Sequence, residues 1–312
     1  MERDRGIFAS LTDRGIFPLV FTGLALCLSG AFALFLAFRS EFLPHDVYQI
    51  GFDASELSVI SPNLVKFMLH DRAAFGGVLL AMGSLYMWLA YYPLASGQRW
   101  AWNTFVVSGV TGFGSFLLYI GYGYLDHWHG AATLALIPVY LIGILKSRKQ
   151  TKGTWSIKPS RRIIRQSFRP VLSALCLLLY AAGLILGGLV ICFIGITTVF
   201  VPQDLQFIEL CSLDIQEISS SLVGVIAHDR AGFGGGLLTT GVTVWLILVN
   251  APVTHSLRQV ITLSGVFGFS AAIGIHFYVG YTDFFHLLPA YLGTAIFLIG
   301  IIPLWTSRSI KP

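Results

Sequence analysis

The chain has 312 residues, of which 55% are hydrophobic and 11% charged, and its mean hydropathy is +0.75. A soluble domain carries about 25% charged residues, so this composition excludes an ordinary soluble protein and indicates an integral membrane protein. The formal net charge of +5 is explained by membrane topology, and nucleic-acid binding is not expected. The four cysteines show no C-x-x-C spacing, so neither a disulfide nor a cysteine metal site is predicted.

Eight apolar runs are long enough to cross a bilayer, and backbone groups in lipid require them to be helices. The predicted spans are about 17–38, 73–94, 103–121, 130–146, 171–199, 231–250, 259–279 and 287–305. Between the first two spans, an amphipathic pattern predicts one short helix lying at the membrane interface. Its apolar positions are Leu57, Ile60, Leu64, Phe67 and Met68.

Basic residues divide the chain and predict its orientation. Residues 147–170 form a basic connector between an N-terminal unit, 1–146, and a C-terminal unit, 171–312. The two termini and the loops after spans two, four and six hold 16 of the 20 Lys and Arg residues. By the positive-inside rule, both termini are cytoplasmic and the opposite loops extracytoplasmic. The composition and this topology predict a protein integral to the cell (inner) membrane.

The two units are predicted to be tandem copies. Two short motifs occur in both, in the same order. They are His70-Asp71-Arg72 with His228-Asp229-Arg230, and Gly123-Tyr124-Leu125-Asp126-His127-Trp128-His129 with Gly280-Tyr281-Thr282-Asp283-Phe284-Phe285-His286. Each unit has an even number of spans, so the copies share one orientation, with a pseudo-twofold axis along the membrane normal. The expected fold is an all-α integral membrane protein with eight transmembrane helices, arranged as two tandem parallel four-helix repeats.

Each unit places ionisable residues at the outer ends of its second and fourth spans. The candidate metal or haem ligands are His70, His129, His228 and His286. The supporting residues are Asp46, Asp71, Arg72, Asp126, Asp204, Asp229, Arg230 and Asp283. An acid three residues before a His shares its helical face, as in the Glu-x-x-His sites of helical bundles. We therefore expect the two His of each unit to converge at the outer mouth of its own bundle, with carboxylates orienting them.

A structural role for the same residues stays open. Asp–Arg pairs anchor helix ends in the headgroup region, and Asp126 and Asp283 stand where N-caps would be. Three further histidines occur in one copy only and are weaker candidates, namely His45, His127 and His276. Retention of one polar set in both copies favours a binding site over simple anchoring.

The arrangement of these spans and histidines resembles haem A synthase. That family has eight helices in two four-helix halves, with His opening the second and fourth helices of each half on the outer side. The resemblance implies that His70, His129, His228 and His286 bind or process haem, and that a haem methyl group is hydroxylated and oxidised. In this chain, Phe67 and Val225 stand where the family has Glu. The repeated blocks also resemble those of bacterial membrane proteins of unknown function.

Three functions follow from these observations as alternatives. The first is binding of a divalent metal ion or haem at the outer mouth of the repeats, which includes a membrane redox enzyme. The second is a small-molecule or ion transporter whose repeats move against each other. The third is a structural or interaction protein with charged rims and no metal. The expected partner is the lipid bilayer, and a homo-oligomer stays open.

Overall fold

A computed structural model describes residues 15–118, 124, 127–152 and 168–306, the side chains of 168–170 excepted. Within these ranges the chain is all-helical, apart from turns, short connections and an isolated bridge between Gln98 and Lys152. Seven of the described helices are long and apolar enough to cross a membrane. The predicted class, an α-helical membrane protein, is confirmed at this level.

The described residues form twelve α-helices. In the N-terminal unit these are α1 Phe17–Arg39, α2 Pro44–Ile50, α3 Ala54–Ile60, α4 Pro62–Leu89, α5 Arg99–Phe116 and α6 His127–Arg148. In the C-terminal unit they are α7 Phe168–Ile196, α8 Pro202–Ile208, α9 Ser212–Ile218, α10 Leu222–Asn250, α11 His255–Val279 and α12 Phe284–Thr306. A π-helical turn, Ala90–Leu94, continues α4.

Two predicted segments extend beyond the described residues. Helix α5, in the place of the third predicted span, is not among the seven membrane-length apolar helices. Residues 119–121, the end of that predicted span, lie outside the described ranges, as do residues 153–167 of the connector.

The second long helix begins three turns before the predicted start of its span. The five amphipathic positions do not form one interfacial helix, because Leu57 and Ile60 lie in the short helix α3 whereas the other three lie in α4. Pro62 occupies the first turn of α4, and the Ser61 hydroxyl accepts a hydrogen bond from the Leu64 amide at 3.3 Å. A Ser cap followed by Pro is a strong helix start. The His-Asp-Arg block beginning at His70 therefore lies inside a helix rather than at its beginning.

The short helices α2 and α8 are built alike and fix two carboxylates. Each begins with Pro, and its third residue, Asp46 or Asp204, accepts a hydrogen bond from a backbone amide just before the helix. These amides belong to Leu43 at 3.3 Å and Val201 at 2.8 Å. One carboxylate oxygen of each Asp is thus held at the helix start, and both side chains are buried against the longer helices.

Glycine contacts bring the long helices together in matching pairs. A Cβ added to Gly30 of α1 would lie 2.5 Å from the backbone oxygen of Gly76 in α4. A Cβ added to Gly188 of α7 would lie 2.6 Å from the backbone oxygen of Gly234 in α10. Small residues permit such close approach between membrane helices. Helix α1 is thereby packed along α4, and α7 along α10.

Further contacts cross between the units. Gly77 of α4 faces Ala271 of α11, and Gly235 of α10 faces Ser115 of α5, both without room for a Cβ. The second long helix of each unit therefore packs on the third long helix of the other unit. An apolar core that includes Phe67 surrounds this crossing at the end of the molecule that carries α2, α3, α8 and α9. We call this end the short-helix end.

Candidate metal centre

Three imidazole rings meet at the short-helix end and form what we call the three-histidine cluster. Its members are His70 from α4, His276 from α11 and His286 from the first turn of α12. The His276 ring centroid lies 4.2 Å from that of His70 and 5.1 Å from that of His286. One ring nitrogen from each histidine lies within 4.8 Å of the other two. These residues are therefore grouped as the ligands of a metal ion would be.

One ring nitrogen of His276, Nε2, makes no hydrogen bond to any described residue. Its Nδ1 is hydrogen-bonded to the backbone oxygen of Ala272, one turn earlier in α11. A carbonyl oxygen only accepts, so Nδ1 carries the proton and Nε2 carries the lone pair. That Nε2 is buried and has no hydrogen-bond partner among the described residues. A backbone carbonyl that fixes the tautomer in this way is the usual support of a metal-ligating histidine.

A phenol holds His286 in the same tautomer. The Tyr281 hydroxyl donates to Asp204 Oδ1 at 2.8 Å, because a carboxylate only accepts. The phenol oxygen then accepts from His286 Nδ1 at 2.9 Å. Burial and the nearby Asp204 carboxylate raise the pKa of Tyr281, so the phenol stays protonated. The remaining lone pair of His286 is therefore on Nε2.

Polar contacts through Asp71 and Arg230 link the third ring, His70, to the carboxylate of Asp204. His70 Nδ1 lies 3.3 Å from Asp71 Oδ1, but the two atoms are not aligned for a hydrogen bond, so the contact is electrostatic. Asp71 Oδ2 in turn accepts from Arg230 Nε at 3.3 Å. The same guanidinium lies 2.8 Å from Asp204 Oδ2. A continuous path of polar contacts thus runs from His70 through Arg230 to His286.

The charges of this path do not cancel. Two carboxylates, Asp71 and Asp204, have side chains that are 5% and 0% exposed, and one guanidinium, Arg230, is 8% exposed. When all three groups are ionised, one negative charge stays uncompensated in a buried place. Such a charge is costly unless a cation approaches it. The surroundings of the three-histidine cluster therefore favour a bound cation.

A second histidine cluster, consisting of His45, His129 and His228, lies in corresponding surroundings. His129 Nδ1 and His228 Nε2 are 3.3 Å apart, within hydrogen-bond distance, and their rings are nearly parallel. The His45 ring centroid lies 6.1 Å from that of His129. Two of these residues come from α2 and α6 of the N-terminal unit and one from α10.

Polar groups surround the second histidine cluster in the arrangement found around the first. Arg72 donates to Asp46 at 2.6 Å and lies 3.7 Å from Asp229. The Tyr124 hydroxyl donates to the other oxygen of Asp46 at 3.2 Å. Arg72, Asp46 and Tyr124 therefore correspond to Arg230, Asp204 and Tyr281.

The expectation that each unit pairs its own histidines is wrong. His70 lies beside His286, with ring centroids 5.9 Å apart, and His228 lies beside His129. The cause is the glycine packing of α4 on α11 and of α10 on α5, which carries each His-Asp-Arg block to the other unit.

The third predicted Asp of the C-terminal unit, Asp283, has a structural role. Asp283 accepts a hydrogen bond from the His286 amide at 2.7 Å and so caps α12. This was the structural alternative for that position. Its counterpart, Asp126, lies outside the described residues.

The ring geometry fits a single ion better than haem. A haem iron needs axial nitrogens about 4 Å apart and a macrocycle between them. His276 contacts both His70 and His286 and so stands where the macrocycle would lie. In the second histidine cluster, the 3.3 Å between nitrogens is too short for two axial ligands. As they stand, these residues do not fit a haem group.

Two residues of the site were missed or ranked low from the sequence. His276 was a weaker candidate because it occurs in one copy only, yet it lies at the centre of the three-histidine cluster. Tyr281 was not selected, although its place in a motif shared with Tyr124 was a usable signal. Comparison with protein-family models, curated proteins and solved structures finds no match to this chain. The function is therefore argued from these residues alone.

Proposed function

We propose that this protein binds one divalent transition-metal ion, of the zinc type, through His70, His276 and His286. The observation that carries the proposal is the buried Nε2 of His276, which has no hydrogen-bond partner among the described residues and belongs to a set of three convergent imidazoles. Neutral imidazole is a preferred ligand of zinc, copper, iron and nickel. Ligand nitrogens about 2.0–2.1 Å from a tetrahedral ion lie about 3.3 Å apart. The three nitrogens lie within 4.8 Å of one another, so they need to approach by up to about 1.5 Å.

The proposal includes the full membrane architecture. Eight spans in two parallel four-helix repeats are supported by the matched glycine contacts, Gly30 with Gly76 and Gly188 with Gly234. Location in the inner membrane with both termini cytoplasmic is supported by the clustering of Lys and Arg. With this orientation, the three-histidine cluster lies at the extracytoplasmic end of the helices.

Three protein ligands leave one position of a tetrahedral ion open. Structural zinc sites are closed by four protein ligands, whereas catalytic sites keep the fourth position for water or substrate. A three-histidine set therefore favours an ion that acts on a bound molecule or is itself exchanged. The bound ion would lower the pKa of a water in the fourth position.

A second candidate function is transport of the ion. It is favoured by the origin of the ligands, since His70 comes from one unit and His276 and His286 from the other. Transporters built from repeats hold their cargo where the repeats meet. Zinc uptake into vesicles containing the purified protein, compared with vesicles containing His276→Ala, distinguishes transport from a stationary site.

Metal content tests the proposal directly. The full chain in detergent is stripped with a chelator and titrated with Zn²⁺, and binding is read by elemental analysis and calorimetry. We expect His276→Ala and His286→Ala each to weaken binding at this site more than about 100-fold, because each removes a ligand rather than only a supporting group. His255→Ala is the control, because that exposed ring contacts Trp305 far along α12 from the cluster.

Two results would reject the proposal. One is wild-type protein that takes up no zinc. The other is His276→Ala protein that binds zinc as tightly as the His255→Ala control. An absorption spectrum of the protein as purified provides a further check, because a Soret band would show bound haem and contradict the geometric argument for a single ion.

A further inference from the structure

The second histidine cluster points to a second metal site, and we infer that it takes up a second divalent ion more weakly than the first. This inference rests on the proposed function, because it extends the same coordination chemistry to the corresponding residues. The ligands would be His129 and His228, joined by His45.

The two nitrogens that face each other already have the spacing of metal ligands. His129 Nδ1 and His228 Nε2 are 3.3 Å apart. This equals the separation of about 3.3 Å between two ligand nitrogens on a tetrahedral zinc ion with bonds of about 2.0–2.1 Å. The third ring, His45, lies next to His129, with ring centroids 6.1 Å apart, and its side chain is 18% exposed. Two imidazole nitrogens therefore have the spacing of ligands, and the inference requires His45 to move closer to join them.

The electrostatic surroundings repeat those of the three-histidine cluster. The carboxylates of Asp46 and Asp229 are 4% and 14% exposed, and both lie against the guanidinium of Arg72. Two acids again contact one base, and when all three groups are ionised their charges sum to −1. A divalent cation at His129 and His228 would offset this charge between a buried residue, His228, and an exposed one, His129. Charge therefore favours a cation at both clusters.

Binding at the second site requires one proton to move. In the hydrogen-bonded pair, one of the two facing nitrogens carries a hydrogen and the other accepts it. For both nitrogens to bind the ion, the donor ring must shift its proton to its other ring nitrogen, with no change in net charge. At His276 and His286 the corresponding proton already lies on Nδ1. The second site must therefore give up a hydrogen bond and change tautomer, so we expect its dissociation constant to be at least about 10-fold higher.

Zinc stoichiometry of the full chain in detergent micelles tests the inference. After chelator treatment, equilibrium dialysis against Zn²⁺ alone should give two ions per wild-type chain. His276→Ala should retain the weaker ion and His129→Gln the tighter one, whereas the double variant should bind none. His45→Gln should weaken only the second step. The control His255→Ala should keep both ions.

The outcomes separate the two proposals. One zinc per wild-type chain, lost in His276→Ala and kept in His129→Gln, would overturn the second site and leave the proposed function standing. No zinc in wild-type protein would reject both. Co²⁺ spectra guard against misfolding, since a folded His129→Gln chain must retain the bands of the three-histidine cluster. If the second binding step survives unchanged in both His129→Gln and His45→Gln, the second site is likewise rejected.

Discussion

The two histidine clusters have nearly the same frame and differ in their third ring. In both, an Arg of a His-Asp-Arg block joins a carboxylate from a short helix to one from the other unit. In the three-histidine cluster, His276 of α11 lies between the other two rings. In the second cluster, the third ring is His45 of α2, beside a hydrogen-bonded histidine pair.

The repeated sequence motifs account for the residues that the two clusters share, but not for their third rings. The pairs Arg72 with Arg230 and Asp46 with Asp204 recur at one offset and build the common frame. His276 and His45 each occur in one copy, and these are the residues that make the clusters unequal. No histidine occurs in residues 116–126, the sequence region that corresponds to His276. The metal-binding difference is therefore expected to follow from two single-copy residues rather than from the frame.

The largest expected effect is that of removing a central arginine. Arg230→Ala leaves Asp71 and Asp204 buried without their cation, which costs about 3–5 kcal/mol of unfolding free energy. Arg72→Ala should cost less, about 1–3 kcal/mol, because its contact with Asp229 is longer, 3.7 Å. Chemical unfolding in detergent measures both. Equal losses would show that the two frames are energetically the same.

The next largest expected effect distinguishes Tyr281 from Tyr124, the tyrosine at the matching place in the second cluster. Tyr281→Phe removes the acceptor of His286 Nδ1 and leaves Asp204 Oδ1 as the next oxygen, 3.7 Å away. We expect zinc affinity at the three-histidine cluster to fall about 10–100-fold, as for other groups that orient metal ligands. Tyr124→Phe, at the matching place, should change that affinity less than about 2-fold. Competition with a chelator provides the measurement, and equal effects of the two variants would contradict an orienting role for Tyr281.

The smallest effect concerns the cap of α12. Asp283→Ala removes the acceptor of the His286 amide and should cost about 1 kcal/mol of unfolding free energy. Asp283→Asn, which still accepts the amide hydrogen bond, should restore most of this stability. Thermal unfolding compares the two variants. A loss that Asn does not recover would show that the charge of Asp283, rather than its capping, matters.

The membrane helices were predictable because apolar length is a local property. Spans 17–38 and 287–305 agree with α1 and α12 to within a few residues. The start of α4 was also readable, since Ser61-Pro62 is a local cap signal that the amphipathic pattern around it obscured. Local chemistry thus accounts for these helix boundaries.

The pairing of histidines between units was not predictable in this way. The 158-residue offset relates His70 to His228 but does not say which copy of the third long helix lies beside each. That choice depends on shape, through the contacts of Gly77 with Ala271 and Gly235 with Ser115. The ligand role of His276 follows from the same contacts. These are properties of the assembled helices and not of any segment.

The crossed packing has a consequence for how the protein is made. The N-terminal unit is synthesised first and contributes only His70 to the three-histidine cluster, whereas His276 and His286 belong to the last two helices. An emerging chain therefore contains no complete ligand set until α12 has left the ribosome and entered the bilayer. Under the proposed function, metal capture therefore follows insertion of α12, and a chain truncated before α12 lacks His286, one of the three proposed ligands.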